Sequence, residues 1–160
     1  MSQYKISQIG TDKVNEFFEL YKVLVGTDFK EWSEEAKNKW LTEDYAPEFW
    51  NRILNNGCPV LVAYDGDKMV SYIAIEHLTF GVAYLSWMGT LSDYRKKGIT
   101  RELVAELENW CKQNNIHKIE LETQVTELLP YFEKLGFSLE GVRKNSWQKL
   151  DNYMFGKDVK

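Results

Sequence analysis

Cysteine is scarce in this chain. There are two in 160 residues, Cys58 and Cys111. They lie in separate segments without the paired spacing of a zinc site, so no metal is expected, and free thiols in a reducing cytoplasm are the expected state. Long apolar runs are lacking too. No stretch approaches the length that spans a bilayer, and MSQYKISQIG does not read as a signal peptide. No membrane partner and a cytoplasmic location follow as expectations. Positive charge is not in excess: the formal net charge is −4, which argues against a general nucleic-acid binder. GxxxxGK[ST] does not occur, which excludes a P-loop. GxGxxG does not follow the first strand, which argues against a dinucleotide fold, and HExxH is missing as well. There is no internal repeat, low-complexity tract or linker.

What is present suits a folded core. Apolar residues make up 44% and aromatic residues 14%, enough for a single domain over 1–160. Residues 3–9 read as a short strand. Val14, Phe17, Phe18, Tyr21 and Val25 recur at helical spacing, with Asp12 as N-cap and Gly26 as stop. Residues 33–44 and 47–56 read as two further helices, parted before Pro47. Asp65-Gly66-Asp67-Lys68 sits between two β-rich runs and predicts a hairpin. VAYLSWMGTL predicts the fourth strand. The helix over 98–115 carries Ile99, Leu103, Val104, Leu107, Trp110 and Cys111 on one stripe, which marks Cys111 as a buried structural thiol. HKIELETQ predicts the fifth strand, a short helix opens near Leu128 or Leu129 ahead of Pro130, and a final strand pair follows. The order β, helices, βββ, α, β, α, ββ predicts an α/β (α+β) fold, a mixed central sheet of about six to seven strands flanked by helices.

One stretch is electrostatically odd. In DYRKKGITRELV, Arg95, Lys96 and Lys97 stand directly before Gly98 and a helix. A helix N-terminus already carries about half a positive charge. A bound anion would offset the repulsion, since unpaired N–H groups and the dipole converge there, and Gly98 would let backbone approach it without a Cβ in the way. A solvated basic turn is the alternative.

Arg95-x-x-Gly98-x-Thr100 resembles the acyl-CoA signature of the GNAT superfamily of N-acyltransferases, (Gln/Arg)-x-x-Gly-x-(Gly/Ala). Leu91 stands at the family's apolar position four residues before the arginine. Downstream, KIELETQ and LPYFEKLGF are similar to the family's fifth strand and its FYEKLGF-type helix ending. The two pieces span roughly residues 83–137.

The resemblance implies a GNAT-like fold whose sheet splays between the fourth and fifth strands, and acetyl-CoA as co-substrate. The backbone of Lys96, Lys97, Gly98, Ile99 and Thr100 would cradle the pyrophosphate, with Arg95 bracing the loop or approaching a phosphate and Arg101 adding charge. Pantetheine would pair with Met88, Gly89, Thr90 and Leu91, where Gly89 marks a bulge or close approach. Thr100 departs from the usual Gly or Ala. Phe132 occupies the slot of the family's tyrosine acid, with Tyr131 adjacent but rotated by about 100°. The family's asparagine after the fifth strand falls near Val125.

The implied chemistry is acetyl transfer to a primary amine of a small molecule or protein N-terminus, which needs a base. Glu76 and His77 near the end of the third strand and Glu122 near the end of the fifth are the candidates, with Tyr131 as acid. Structural or solvated roles compete for each: Glu122 shares a face with Glu120 that would be a solvated edge. The acceptor region would draw on Trp32, Trp40, Tyr45, Phe49 and Trp50 beside Glu34, Glu35, Asp44 and Glu48, a composition that suits a cationic amine and equally suits the core and outer faces of amphipathic helices. Phe132 favours the alternative of a catalytically impaired acyl-CoA-binding sensor or partner module. A homodimer is compatible with the family.

Overall fold

The computed structural model describes residues 3–30 and 32–160. Among these residues, seven strands alternate with five α-helices: β1 (Lys5–Gln8), α1 (Val14–Asp28), α2 (Glu34–Lys39), α3 (Pro47–Asn55), β2 (Val60–Asp65), β3 (Lys68–Thr79), β4 (Val82–Thr90), α4 (Ile99–Gln113), β5 (Lys118–Thr123), α5 (Leu129–Lys134), β6 (Ser138–Arg143) and β7 (Asn152–Asp158). The strands form one mixed sheet in the order β1-β2-β3-β4-β5-β7-β6. β4 and β5 are parallel, and α4 supplies the crossover that a parallel pair requires. Their pairing runs only from Val82↔Lys118 to Tyr84↔Glu120 and stops before either strand ends. The predicted splay is therefore a register that gives out. No helix among the described residues is long and apolar enough to cross a membrane.

Three local expectations change. Asp12 does not cap α1; Thr11–Lys13 forms a 3-10 turn, closed by the Lys13 N–H donating to Gly10 O at 3.1 Å, and the helix starts behind it. Gly26 does not stop α1, which runs on to Asp28. A helical glycine costs about 1 kcal/mol. The buried stripe Val14, Phe17, Leu20, Tyr21, Leu24 and Val25 offsets it through packing. The predicted helix over 33–44 divides into α2, capped by Ser33 Oγ accepting the Ala36 N–H at 3.1 Å, and a π turn over Trp40–Asp44, closed by Tyr45 N–H to Trp40 O at 2.8 Å. The hairpin is as read: β2 ends at Asp65, β3 begins at Lys68, and Gly66 takes φ +60°.

The chain packs as two compact units. One holds the residues up to Ala74 with Trp87–Leu103, the other Ile75–Ser86 with Val104–Lys160. The first has an aromatic core. Phe17 meets Trp50 edge-on at 4.8 Å and Tyr72 at 5.0 Å, and Tyr21 meets Trp50 at 4.9 Å. In the second, Val104, Leu107 and Cys111 of α4 are buried, as are Ile119, Leu121, Phe132, Phe137 and Phe155. Burying each large apolar side chain contributes about 1.5–3 kcal/mol. Neither cysteine is in a disulfide and both are buried. Burial, with Glu108 second, pushes the Cys111 thiol up to about 12, which suits a structural thiol.

Candidate active site

In the first unit, the loop from β4 to α4 is held at its base by Arg95. Nε donates to Thr90 O at 3.0 Å and Nη2 to Asp28 Oδ1 at 2.5 Å, tying the loop to β4 and α1. Arg95 is thus a brace. Tyr94 secures the other side. Its hydroxyl donates to Asp65 Oδ2 at 3.0 Å, its ring meets Tyr4 edge-on at 6.3 Å, and the Lys68 and Lys97 ammonium groups stand over it at 5.5 and 5.1 Å.

Between these anchors the backbone turns left-handed twice, at Lys96 (φ +61°) and Gly98 (φ +82°). A Cβ at Gly98 would meet nothing within 4 Å, so glycine is there for its φ and for the open space above it. The first paired donor of α4 is Arg101, whose N–H donates to Gly98 O at 3.0 Å. The Ile99 and Thr100 N–H groups come before it, where a helix offers no internal acceptor. The turn and the helix start thus bring backbone donors together beside Lys96, Lys97 and Arg101, and helix starts of this kind hold phosphate oxygens.

Thr100 is accommodated by a chain of hydroxyls. Ser71, fully buried, donates to Gly89 O at 2.9 Å, so it accepts from Thr90 Oγ1 at 2.7 Å, and Thr90 in turn lies 3.4 Å from Thr100 Oγ1. The departure from Gly or Ala thus comes with one hydroxyl partner, Thr90, itself held by Ser71. Gly89 serves close approach. A Cβ there would lie 2.8 Å from Leu24 Cδ1 and 3.1 Å from Tyr72 Cε1. The Leu91 N–H is already committed, donating to Val70 O at 2.9 Å. Met88 is half-buried in β4, and Arg101 is exposed in the first turn of α4.

The aromatic region of the same unit packs on itself. Trp40 lies 4.3 Å from Tyr45 and 5.3 Å from Trp87, Tyr45 lies 4.7 Å from Trp87 and from Phe49, and Trp32 lies 4.8 Å from Trp40. An ammonium between two rings would hold their centroids well beyond these distances. The rings fill one another's space, and Trp87, which the sequence reading left out of this group, sits at the centre. Trp40 Nε1 donates to the Tyr21 hydroxyl at 2.6 Å, and Trp50 Nε1 to Tyr45 O at 3.1 Å. Glu34 is 91% exposed and pairs with Lys37; Glu35, Asp44 and Glu48 are exposed.

In the second unit, Glu122 is no solvated edge. Its side chain is 11% exposed and has donors from three strands. The Tyr84 hydroxyl of β4 donates to Oε1, while Asn152 Nδ2 of β7 and Arg143 Nη1 of β6 (3.3 Å) donate to Oε2. Glu120, on the same face, is 42% exposed and pairs with Lys118 at 3.4 Å. The His77 ring stacks on Tyr84 at 4.7 Å and 18°, and the Glu76 charge also acts on Tyr84. Burial first, then the Glu122 hydrogen bond and charge, push the Tyr84 phenol well above its ordinary value near 10. Two of the four predicted catalytic side chains, His77 and Glu122, thus touch Tyr84, and the charge of a third, Glu76, acts on it. Tyr84, Arg143 and Asn152 were missed. The available signal was strand parity, because Tyr84 pairs with Glu120 and so shares its face.

Tyr131 and Phe132 divide as helix rotation requires. Phe132 is 4% exposed, with its ring 5.5 Å from Phe155 and 6.4 Å from Phe137. Tyr131 is 38% exposed, and its ring meets Phe132 at 5.9 Å. Phe132 is thus built into the core. Val125, near the family's asparagine position, is 48% exposed.

The model of the acetyltransferase (GNAT) family matches residues 26–137, well over half of the chain. No curated protein matches the sequence. Among solved structures, the paia N-acetyltransferase of Thermoplasma acidophilum, in complex with coenzyme A, is similar at 19% identity and TM-score 0.80, over 99% of each chain. A putative acetyltransferase of the GNAT family from Desulfovibrio desulfuricans is 20% identical with TM-score 0.77, over 98% of this chain and 99% of its own. The ribosomal-protein-S5-alanine acetyltransferase of Vibrio fischeri is 20% identical with TM-score 0.77, over 99% of this chain and 94% of its own. At these identities the likeness is one of fold. With the match to the family model, it places the chain in the GNAT family of acetyltransferases.

Proposed function

We propose that this chain transfers an acetyl group from acetyl-CoA to a primary amine of a small molecule or a protein N-terminus, acting as one domain over 1–160 in the cytoplasm. The observation that carries the reading is the Arg95–Thr100 loop, with left-handed turns at Lys96 and Gly98 leading into the donors that open α4. A diphosphate would find open space at Gly98 and the cations Lys96, Lys97 and Arg101 beside it in the chain. The N–H groups from Lys96 to Thr100 would hold the diphosphate, Lys96 and Arg101 would add charge, and the Met88–Thr90 backbone would meet pantetheine. Bound acetyl-CoA supplies the activated acetyl thioester. Glu122 then takes the proton that an ammonium must lose, with Glu76 and His77 beside it, and Tyr131 donates to the leaving thiolate. The solved relatives named for ribosomal-protein alanine motivate peptide N-termini as one arm of an acceptor panel.

Phe132 supports a second reading, a domain that binds acyl-CoA without turnover, because the usual acid position is occupied by a buried phenyl ring. Titration with acetyl-CoA, followed by thiol release over a panel of amines, separates the two. Saturable binding with amine-dependent release supports the transferase. Binding without release on any amine supports the sensor, and no binding contradicts both.

A further inference from the structure

Resting on the proposed acetyl transfer, the arrangement in the second unit points to a proton relay: we propose that Tyr84 receives the acceptor's ammonium proton and passes its own to Glu122. The reason is the direction of the hydrogen bonds. A phenol has one proton to donate, and that of Tyr84 is committed to Glu122 Oε1. Its free valence toward a substrate is a lone pair, so it accepts from an ammonium and has nothing to offer a carbonyl. Glu122 Oε2 is taken by Asn152 and Arg143. With the carboxylate 11% exposed and held by three donors, Tyr84 is its outlet. The half-buried Tyr84 ring is fixed from the side by the stacked His77.

The groups around the relay agree with this direction. His77 of β3 stacks on Tyr84 and Glu122 of β5 accepts from it, while the charges of Glu76 on β3 and Arg143 on β6 act on it. Arg143 Nη1 donates to Glu122 Oε2 at 3.3 Å, so its charge stands beside the carboxylate. Burial and two neighbouring carboxylates keep the phenol protonated well above pH 10, so Tyr84 conducts a proton and does not act as a standing phenolate. The step balances. The ammonium gives one proton to Tyr84 Oη while the Tyr84 proton moves to Glu122 Oε1. The neutral amine then forms the N–C bond as the C–S bond breaks. Tyr131 gives its proton to the departing sulfur and is restored by the second nitrogen proton, and the proton on Glu122 returns to solvent.

The test compares wild type, Tyr84→Phe and the near-isosteric Glu122→Gln, using an amine that wild type acetylates, from pH 6 to pH 10. The relay predicts that each variant loses about 10²-fold in kcat/KM at pH 7, the usual worth of acid–base catalysis, with the KM for acetyl-CoA unchanged. The loss shrinks as pH rises toward the amine's own pKa, where the acceptor arrives deprotonated. Structural damage has no such pH dependence. If Tyr84→Phe fails to fold, Glu122→Gln carries the same expectation. A loss of less than about 3-fold at pH 7, or a loss equal at every pH, overturns the relay while leaving the transferase standing. A wild-type chain that acetylates no amine overturns both.

Discussion

Phe132 decides more at the residue scale than any single charge. Phe132, where the resemblance implies a tyrosine, lies against Phe137 and Phe155, and its ring is almost fully buried. Restoring the family residue would drive a hydroxyl into an apolar pocket. Phe132→Tyr is therefore expected to cost about 1–3 kcal/mol in urea unfolding and to add no turnover. A variant of undiminished stability with raised kcat would show that the slot opens toward the chemistry. Tyr131, 38% exposed one position away, has the opposite environment. Glu122 illustrates the limit of sequence reading at this scale. Its position on the fifth strand was legible, but its burial was not. Its donors lie 21, 30 and 38 residues away, and strand register alone brings them together.

Elements behave as their patterns predict where one period dominates. The α4 stripe was legible because Ile99, Leu103, Leu107 and Cys111 repeat at helical spacing, and all four are buried. The Asp65–Lys68 hairpin was legible because turn residues separate two strand patterns. The ends of α1 were not, because tertiary packing overrides a single cap or glycine. In the loop before α4, the motif was legible but its support was not: Arg95 is satisfied by Thr90 and Asp28, partners set by the fold. Gly98→Ala places a Cβ at φ +82° and is expected to strain the turn by about 1–2 kcal/mol. Calorimetry should then show acetyl-CoA binding weakened several-fold; unchanged affinity would mean that this turn does not shape the site. In β4, Gly89→Ala would press on Leu24 and Tyr72 and is expected to lower stability by about 1–3 kcal/mol. A neutral result in urea unfolding would show that α1 shifts to make room.

For the whole molecule, two phenols, the buried Tyr72 and the half-buried Tyr84, link stability to pH. Tyr72 is raised by burial and then by Asp28, and Tyr84 by burial and then by Glu122. Both folded values lie above the unfolded one near 10, so the unfolded chain releases these protons first as pH rises. Stability is thus full below about pH 10 and declines above it. Urea midpoints measured from pH 8 to pH 11 should fall across the upper part of that range, and Tyr84→Phe should fall less; a flat wild-type profile would contradict the burial of these phenols. The strand and helix order was legible from sequence, as was the family through its loop, whereas the grouping of Tyr84, Glu122, Arg143 and Asn152 depends on the pairing of β4, β5, β6 and β7.

Acetyl transfer is tested most directly by mass analysis of amine acceptors incubated with the purified chain and acetyl-CoA, alongside thiol release. Acetyl transfer predicts an acetylated amine formed in step with free CoA thiol, at a rate that rises with chain concentration. Saturable acetyl-CoA binding with no acetylated product from small amines, amino acids, aminoglycosides or peptide N-termini would contradict it.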